Sequence, residues 1–232
     1  MAQPTPPSAG PPPRVAIARD DLQAGFRNLN IRAGLLWQDE HFLRKLIYEK
    51  AGLGKGDKVL LLCEDNQACR FPHEISQLIG PSGELADIDF RAMAYQHFAW
   101  DIYTDLCSPY PDGHFDAVIT VSWHHIEDLE QEAKALVHVV RPGGRVVMVD
   151  HGPGNLYFEA MQHDVHLNMV LKLLVKYWGS MWKDDLDEAY EYAKDLCLRI
   201  TTDDVERAFR PHLTDMGRFE TRGIALVWGT RA

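Results

Sequence analysis

The chain has 232 residues, 46% hydrophobic and 25% charged, with 24 Lys and Arg against 34 Asp and Glu. That composition excludes a chain disordered as a whole, and the length holds one large domain or two small ones with a buried core. A net charge of −10 argues against a surface built to grip phosphate backbones.

No apolar run approaches the roughly 20 residues of a membrane span. The four cysteines, Cys63, Cys69, Cys107 and Cys197, are too few and too scattered for a disulfide scaffold. The expectation is a reduced, cytoplasmic protein whose partner is a small-molecule substrate rather than nucleic acid or a membrane, with a homodimer left open. Seventeen glycines are present, yet none falls between Gly56 and Gly80.

The first fourteen residues carry six of the thirteen prolines, so 1–14 is expected to be an extended or disordered tail. It has neither the basic start nor the apolar stretch of a secretory signal. From Asp20 to Gly52, apolar residues such as Leu22, Phe26, Leu29, Leu43, Leu46 and Ile47 recur at three- and four-residue steps, which predicts helix. Gly52 and Gly54, after Lys50, are its stop signal.

The grammar then changes. KVLLLC (58–63) is a short run, solidly apolar after its opening Lys, of the kind that forms a strand buried on both faces. RFPHEISQLIG (70–80) predicts a helix closed by Gly80, and GELADIDF (83–90) a second strand followed by helix. HFDAVITVSW (114–123) is a third strand. IEDLEQEAKALVHVV (126–140) is an amphipathic helix ended by Arg141-Pro142-Gly143-Gly144, and RVVMVD (145–150) a fourth strand. Such alternation implies parallel βαβ units in a doubly wound α/β sheet. Residues 151–200 form a helical block rich in aromatics, Met and His. ITTDDVERAF opens a helix capped by Thr201 or Thr202, and RFETR (218–222) with GIALVWGT (223–230) reads as an antiparallel hairpin.

Open α/β sheets bind ligands outside the carboxyl ends of their strands, where strand order reverses. The residues to question are therefore Glu64, Asp65, Asp87, Asp89, Ser122 to His125, and Asp150 to Gly154. At these positions the chain resembles class I S-adenosylmethionine-dependent methyltransferases, in particular the small-molecule, quinone-biosynthesis-like branch. The resemblance lies in PDGHFDAV leading into a strand, His124-His125 at its end, Arg141-Pro142-Gly143-Gly144 after the helix, and a strand ending in Asp150. KVLLL, GPSGELADIDF and ITTDDVERAF match in order around them, so roughly 55–230 is covered.

The resemblance implies a single Rossmann-like domain over 15–232: a mostly parallel seven-stranded sheet with an antiparallel C-terminal edge strand, and a helical cap over about 151–200. It implies S-adenosylmethionine as cofactor, with Asp89 on the ribose hydroxyls and Asp105, or in its place Asp101, near the adenine. Ser122 and Trp123 would lie beside the methionine part, and His125 or His151 would be the catalytic base.

One departure stands out. Where the family has a glycine-rich turn after the first strand, this chain has CEDNQACRF, residues 63–71, about two residues longer and without glycine. Glu64 and Asp65 there would meet the cofactor's ammonium and repel its carboxylate. Two other readings therefore stay open. One is a lost or repurposed cofactor site performing an isomerisation, cyclisation or elimination, and the other is a non-catalytic ligand- or partner-binding protein. The cap's aromatics suit an apolar, planar acceptor and equally suit a helical core. Glu159, His163 and His166 share one helix face, but no fourth ligand is evident and no metal site is assigned.

Overall fold

The computed structural model describes residues 41–63, 71–89, 102–121, 123, 126, 128–150, 200–220 and 224–232. The expected tail, the helix before residue 41 and the cap lie outside them. In chain order the elements are α1 (His41–Ala51), β1 (Lys58–Cys63), α2 (Phe71–Ile79), β2 (Glu84–Asp89), α3 (Ile102–Cys107) and β3 (Phe115–Val121). Then follow α4 (Leu129–Val139), β4 (Val140–Asp150), α5 (Thr202–Phe209), β5 (Leu213–Glu220) and β6 (Ala225–Arg231).

Among the described residues the sheet has six strands in the order β2-β1-β3-β4-β6-β5, against the seven expected. Strands β2, β1, β3 and β4 are mutually parallel. Strand β6 is antiparallel to both β4 and β5. The strand that opposes the rest is therefore β6, one place in from the edge, and β5 at the edge runs with the others. β5 starts at Leu213, five residues earlier than its sequence pattern suggested, because the start LTDMG lacks alternating burial and pairs through a bulge between Thr214 and Gly217.

The two faces are covered by different helices, as a doubly wound sheet requires. Leu60, Leu62, Val118, Val146 and Met148 pack with Leu106 of α3, Leu136 of α4 and Phe209 of α5. Val59, Leu61, Ile119 and Val147 pack on the other side with Ile47 of α1 and Ile75 of α2. Strand β1 feeds both clusters, and five of its six residues are buried. That is why it reads as an unbroken apolar run.

Local stops follow the sequence. Gly52 (φ 64°) ends α1 and Gly80 (φ 70°) ends α2, each in the left-handed region that a Cβ disfavours. Thr201 is the cap of α5 and forms a reciprocal capping box with Asp204, whose main-chain N–H it accepts at 3.2 Å. Arg141-Pro142-Gly143-Gly144 does not separate α4 from its strand. β4 begins at Val140, opposite Phe115, and resumes pairing at Arg145, opposite Ala117. The four intervening residues are extruded there. A Cβ on Gly144 would come within 2.7 Å of the Asp116 carbonyl oxygen, so only glycine fits the crossing.

The amino edge of the sheet is pinned by ion pairs. Asp116 accepts from the Lys58 main-chain N–H at 2.8 Å and from Arg141 Nε at 2.6 Å, joining β1, β3 and β4. Partial burial pushes the Asp116 pKa up, but the Arg141 guanidinium and the Lys58 N–H outweigh it and hold the carboxyl below its ordinary value. A depressed folded pKa stabilises the fold above the unfolded value, about 4, and that contribution is lost as pH falls through the folded value. Asp116→Asn should lower Tm by roughly 2–6 °C at neutral pH. Thermal melts from pH 7 to pH 3 should show the gap to wild type closing in acid; a gap independent of pH would contradict the assignment.

Candidate active site

Strand order reverses at β1. The chain passes from β1 through α2 to β2 on one side, then returns through α3 to β3 on the other. The helix of each crossover lies on a different face, which opens a crevice above the carboxyl ends of β1 and β3. Register fixes what borders it. Cys63, the last residue of β1, pairs with Asp89 on one side and with Val121 on the other, and Val121 pairs with Val149. The main chains of residues 63, 89, 121 and 149 thus form one row along that edge, and Asp150 closes it.

Two buried carboxylates hold the segments that frame this row. Asp150, 7% exposed, accepts the Trp123 main-chain N–H at 2.5 Å and so ties the end of β4 to the connection between β3 and α4. A charge-assisted bond of this kind is strong, and its loss would leave a buried N–H unpaired. Glu132 of α4, fully buried, accepts the Thr104 N–H at 3.1 Å and the Thr104 hydroxyl at 2.8 Å, so it grips the first turn of α3. α4 itself starts at Asp128, whose carboxylate accepts the Gln131 N–H at 3.0 Å. On the opposite face Arg44, 6% exposed, donates through Nε to Glu74 at 3.0 Å, and the same carboxylate oxygen accepts the Tyr48 hydroxyl at 2.7 Å. This group locks α1 to the first turn of α2.

A family model described as methyltransferase domain matches residues 81–148, from the turn before β2 to the middle of β4. That stretch is similar to a methyltransferase domain. It is 26% identical over 142 residues to a demethylmenaquinone methyltransferase of Desulfitobacterium hafniense, covering 55% of this chain and 54% of that protein. The chain therefore spans about half the length of that curated relative. It is 25% identical over 189 residues to a ubiquinone/menaquinone biosynthesis C-methyltransferase, UbiE, of Hahella chejuensis, covering 75% of this chain and 70% of that protein. A solved SAM-dependent methyltransferase from Aquifex aeolicus is similar at 14% identity and a TM-score of 0.48, over 87% of this chain and 97% of that one.

Of the residues singled out from sequence, Asp87, Asp89, Asp105, Trp123 and Asp150 are described, and Asp87 is exposed on β2 in register with Leu61. The main chain of Asp89 stands at the end of β2, in register with Cys63. Asp105 lies exposed on α3, one residue from the Thr104 that Glu132 holds, and its carbonyl accepts the Ser108 hydroxyl at 2.8 Å. Trp123 is 2% exposed and belongs to the core against α4. Glu64, Asp65, Asp101, Ser122, His124, His125, His151, Glu159, His163 and His166 lie outside the described residues. Cys63 is buried, as its place in an apolar strand suggested.

Sequence reasoning passed over Glu132, although a signal was available. It sits three residues after Leu129 and four before Leu136, on the stripe that carries Ala133 and Val137 inward. An acid on an apolar stripe is the mark of a buried partner. Its charge also acts on Cys107. Burial, together with the Glu132 charge, pushes that thiol up to about 12. At pH 8 only about one Cys107 in ten thousand would be a thiolate. Peptide mapping after iodoacetamide treatment of the native protein at pH 8 should find Cys107 unmodified and should find it labelled after denaturation. Rapid native labelling would contradict this environment.

Proposed function

We propose that the protein transfers a methyl group from S-adenosylmethionine to a small, largely apolar acceptor with a planar ring. The observation that carries the reading is the methyltransferase-domain match over β2 to β4 falling on the strands that border the β1–β3 crevice. The names of the two relatives, both methyltransferases acting in quinone biosynthesis, support a ring-bearing acceptor.

The residue types at the carboxyl edge fit the cofactor. Asp89 ends β2 beside Cys63, where a carboxylate suits the two vicinal hydroxyls of a ribose. Asp105 on the first turn of α3 is the candidate for the adenine amino group. Ser122, after β3, is assigned to the methionine part, with Glu64 and Asp65 on its ammonium, while Trp123, buried with its N–H on Asp150, backs that segment from the core. When bound, the sulfonium supplies an activated methyl group. The chain's own work is then to place the acceptor in line with that methyl and to take a proton from it, the role proposed for His125 or His151. Little further acid–base help is needed, so orientation dominates the rate. A cytoplasmic location accompanies the reading.

The acids at 64 and 65 in place of glycine favour one refinement. The ammonium of the cofactor's amino acid is held by side chains here, and its carboxylate receives less from the turn than glycine-bordered amides would give. Calorimetric titration with S-adenosylhomocysteine tests the proposal. Heat and a thermal shift are expected, and Asp89→Ala should weaken binding at least about tenfold by removing a charged acceptor of two hydrogen bonds. No binding at millimolar ligand would end the methyl-transfer reading; unchanged affinity in Asp89→Ala would move the site elsewhere.

A further inference from the structure

We propose that Glu132 is a positioning residue that braces the two walls of the crevice against each other, fixing Asp105 on its adenine side. The inference rests on the cofactor reading given above and adds to it a residue outside the crevice's own lining. Four observations carry it.

First, α3 has only six residues, Ile102–Cys107, far below the length at which a helix holds itself. Its place therefore depends on tertiary anchors. Second, besides the burial of Leu106 and Cys107, α3 has a polar anchor in Thr104, whose N–H and hydroxyl both reach the Glu132 carboxylate. Third, Glu132 is fully buried on a helix face otherwise made of Ala133, Leu136, Val137 and Val139. Packing alone would be served by an apolar residue there. A buried carboxylate is costly to desolvate, and the two directed bonds from Thr104 help to offset that cost. Two oxygens gripping one residue restrict rotation as well as distance, which apolar contact does not.

Fourth, connectivity gives the brace its consequence. Glu132 lies in the first turn of α4, the helix that leaves the carboxyl end of β3 after the connection carrying Trp123 and His125. Thr104 lies beside Asp105. Asp105 is exposed, and among the described residues no hydrogen bond to its carboxylate is seen, so its position follows its backbone. A shift of α3 moves it directly.

The test uses the full chain with S-adenosylhomocysteine and adenosine as probes in calorimetry. Glu132→Gln should weaken both by a similar factor, about tenfold, because both carry the adenine. In an Asp105→Ala background the same change should cost less than about twofold, since a residue that acts through Asp105 has nothing left to position. Thr104→Ser should retain wild-type affinity, and hydrogen exchange of the α3 amides should rise in ligand-free Glu132→Gln. Wild-type affinity in a folded Glu132→Gln would overturn the proposal, and so would a tenfold loss that persists without Asp105, the mark of general loosening. If Glu132→Gln does not fold, Thr104→Val, which keeps the N–H bond and loses the hydroxyl, should show the same pattern at about threefold. Failure of the wild type to bind either probe would remove the cofactor reading itself, a result distinct from binding that the variants leave unchanged.

Discussion

The position of β1 between β2 and β3 governs the rest of the molecule. β1 is parallel to both neighbours and, after the exposed Lys58, buried on both faces, so the rest of it must be apolar, and VLLLC supplies that. Because the chain leaves it in one direction and returns in the other, the helices of the two crossovers are forced to opposite faces. The gap they leave sits above Cys63 and Val121. Every candidate residue for binding is placed by its distance along the chain from that edge.

The two edges of the sheet divide the polar residues by task. At the amino edge, Lys58, Glu84, His114, Asp112, Asp116, Arg141 and Arg231 satisfy one another. The His114 bond and the Lys58 charge hold the Glu84 carboxyl below its ordinary range, and the Arg231 bond does the same for Asp112. These exposed pairs contribute modestly each and set register rather than chemistry. At the carboxyl edge, two of the buried polar residues among those described are carboxylates that accept main-chain N–H groups. Asp150 holds the connection after β3 and Glu132 holds the start of α3.

Much of this was legible in the residues. Two-face burial showed in the unbroken β1 run, the crossover helices in the 3.6-residue spacing of α2 and α4, and the helix stops in Gly52 and Gly80. Three features were not. Extrusion of Arg141-Pro142-Gly143-Gly144 inside β4 depends on how β3 and β4 pair, a long-range fact that local turn chemistry mimics. The early start of β5 is hidden because its bulged, half-exposed beginning lacks alternation. The partner of Glu132 lies twenty-eight residues away on another helix, so an acid on an apolar stripe could be seen, but not what it holds.

The central claim is that the ligand site is the carboxyl edge at the β1–β3 reversal, and a hydrogen-exchange footprint of S-adenosylhomocysteine tests it most directly. Saturating ligand should slow exchange in peptides that contain the ends of β1, β2 and β3 and the first turn of α3. Peptides at the amino edge, around Lys58, Glu84 and Arg145, should be unchanged. Protection confined to the amino edge, or to β5 and β6, would contradict the account.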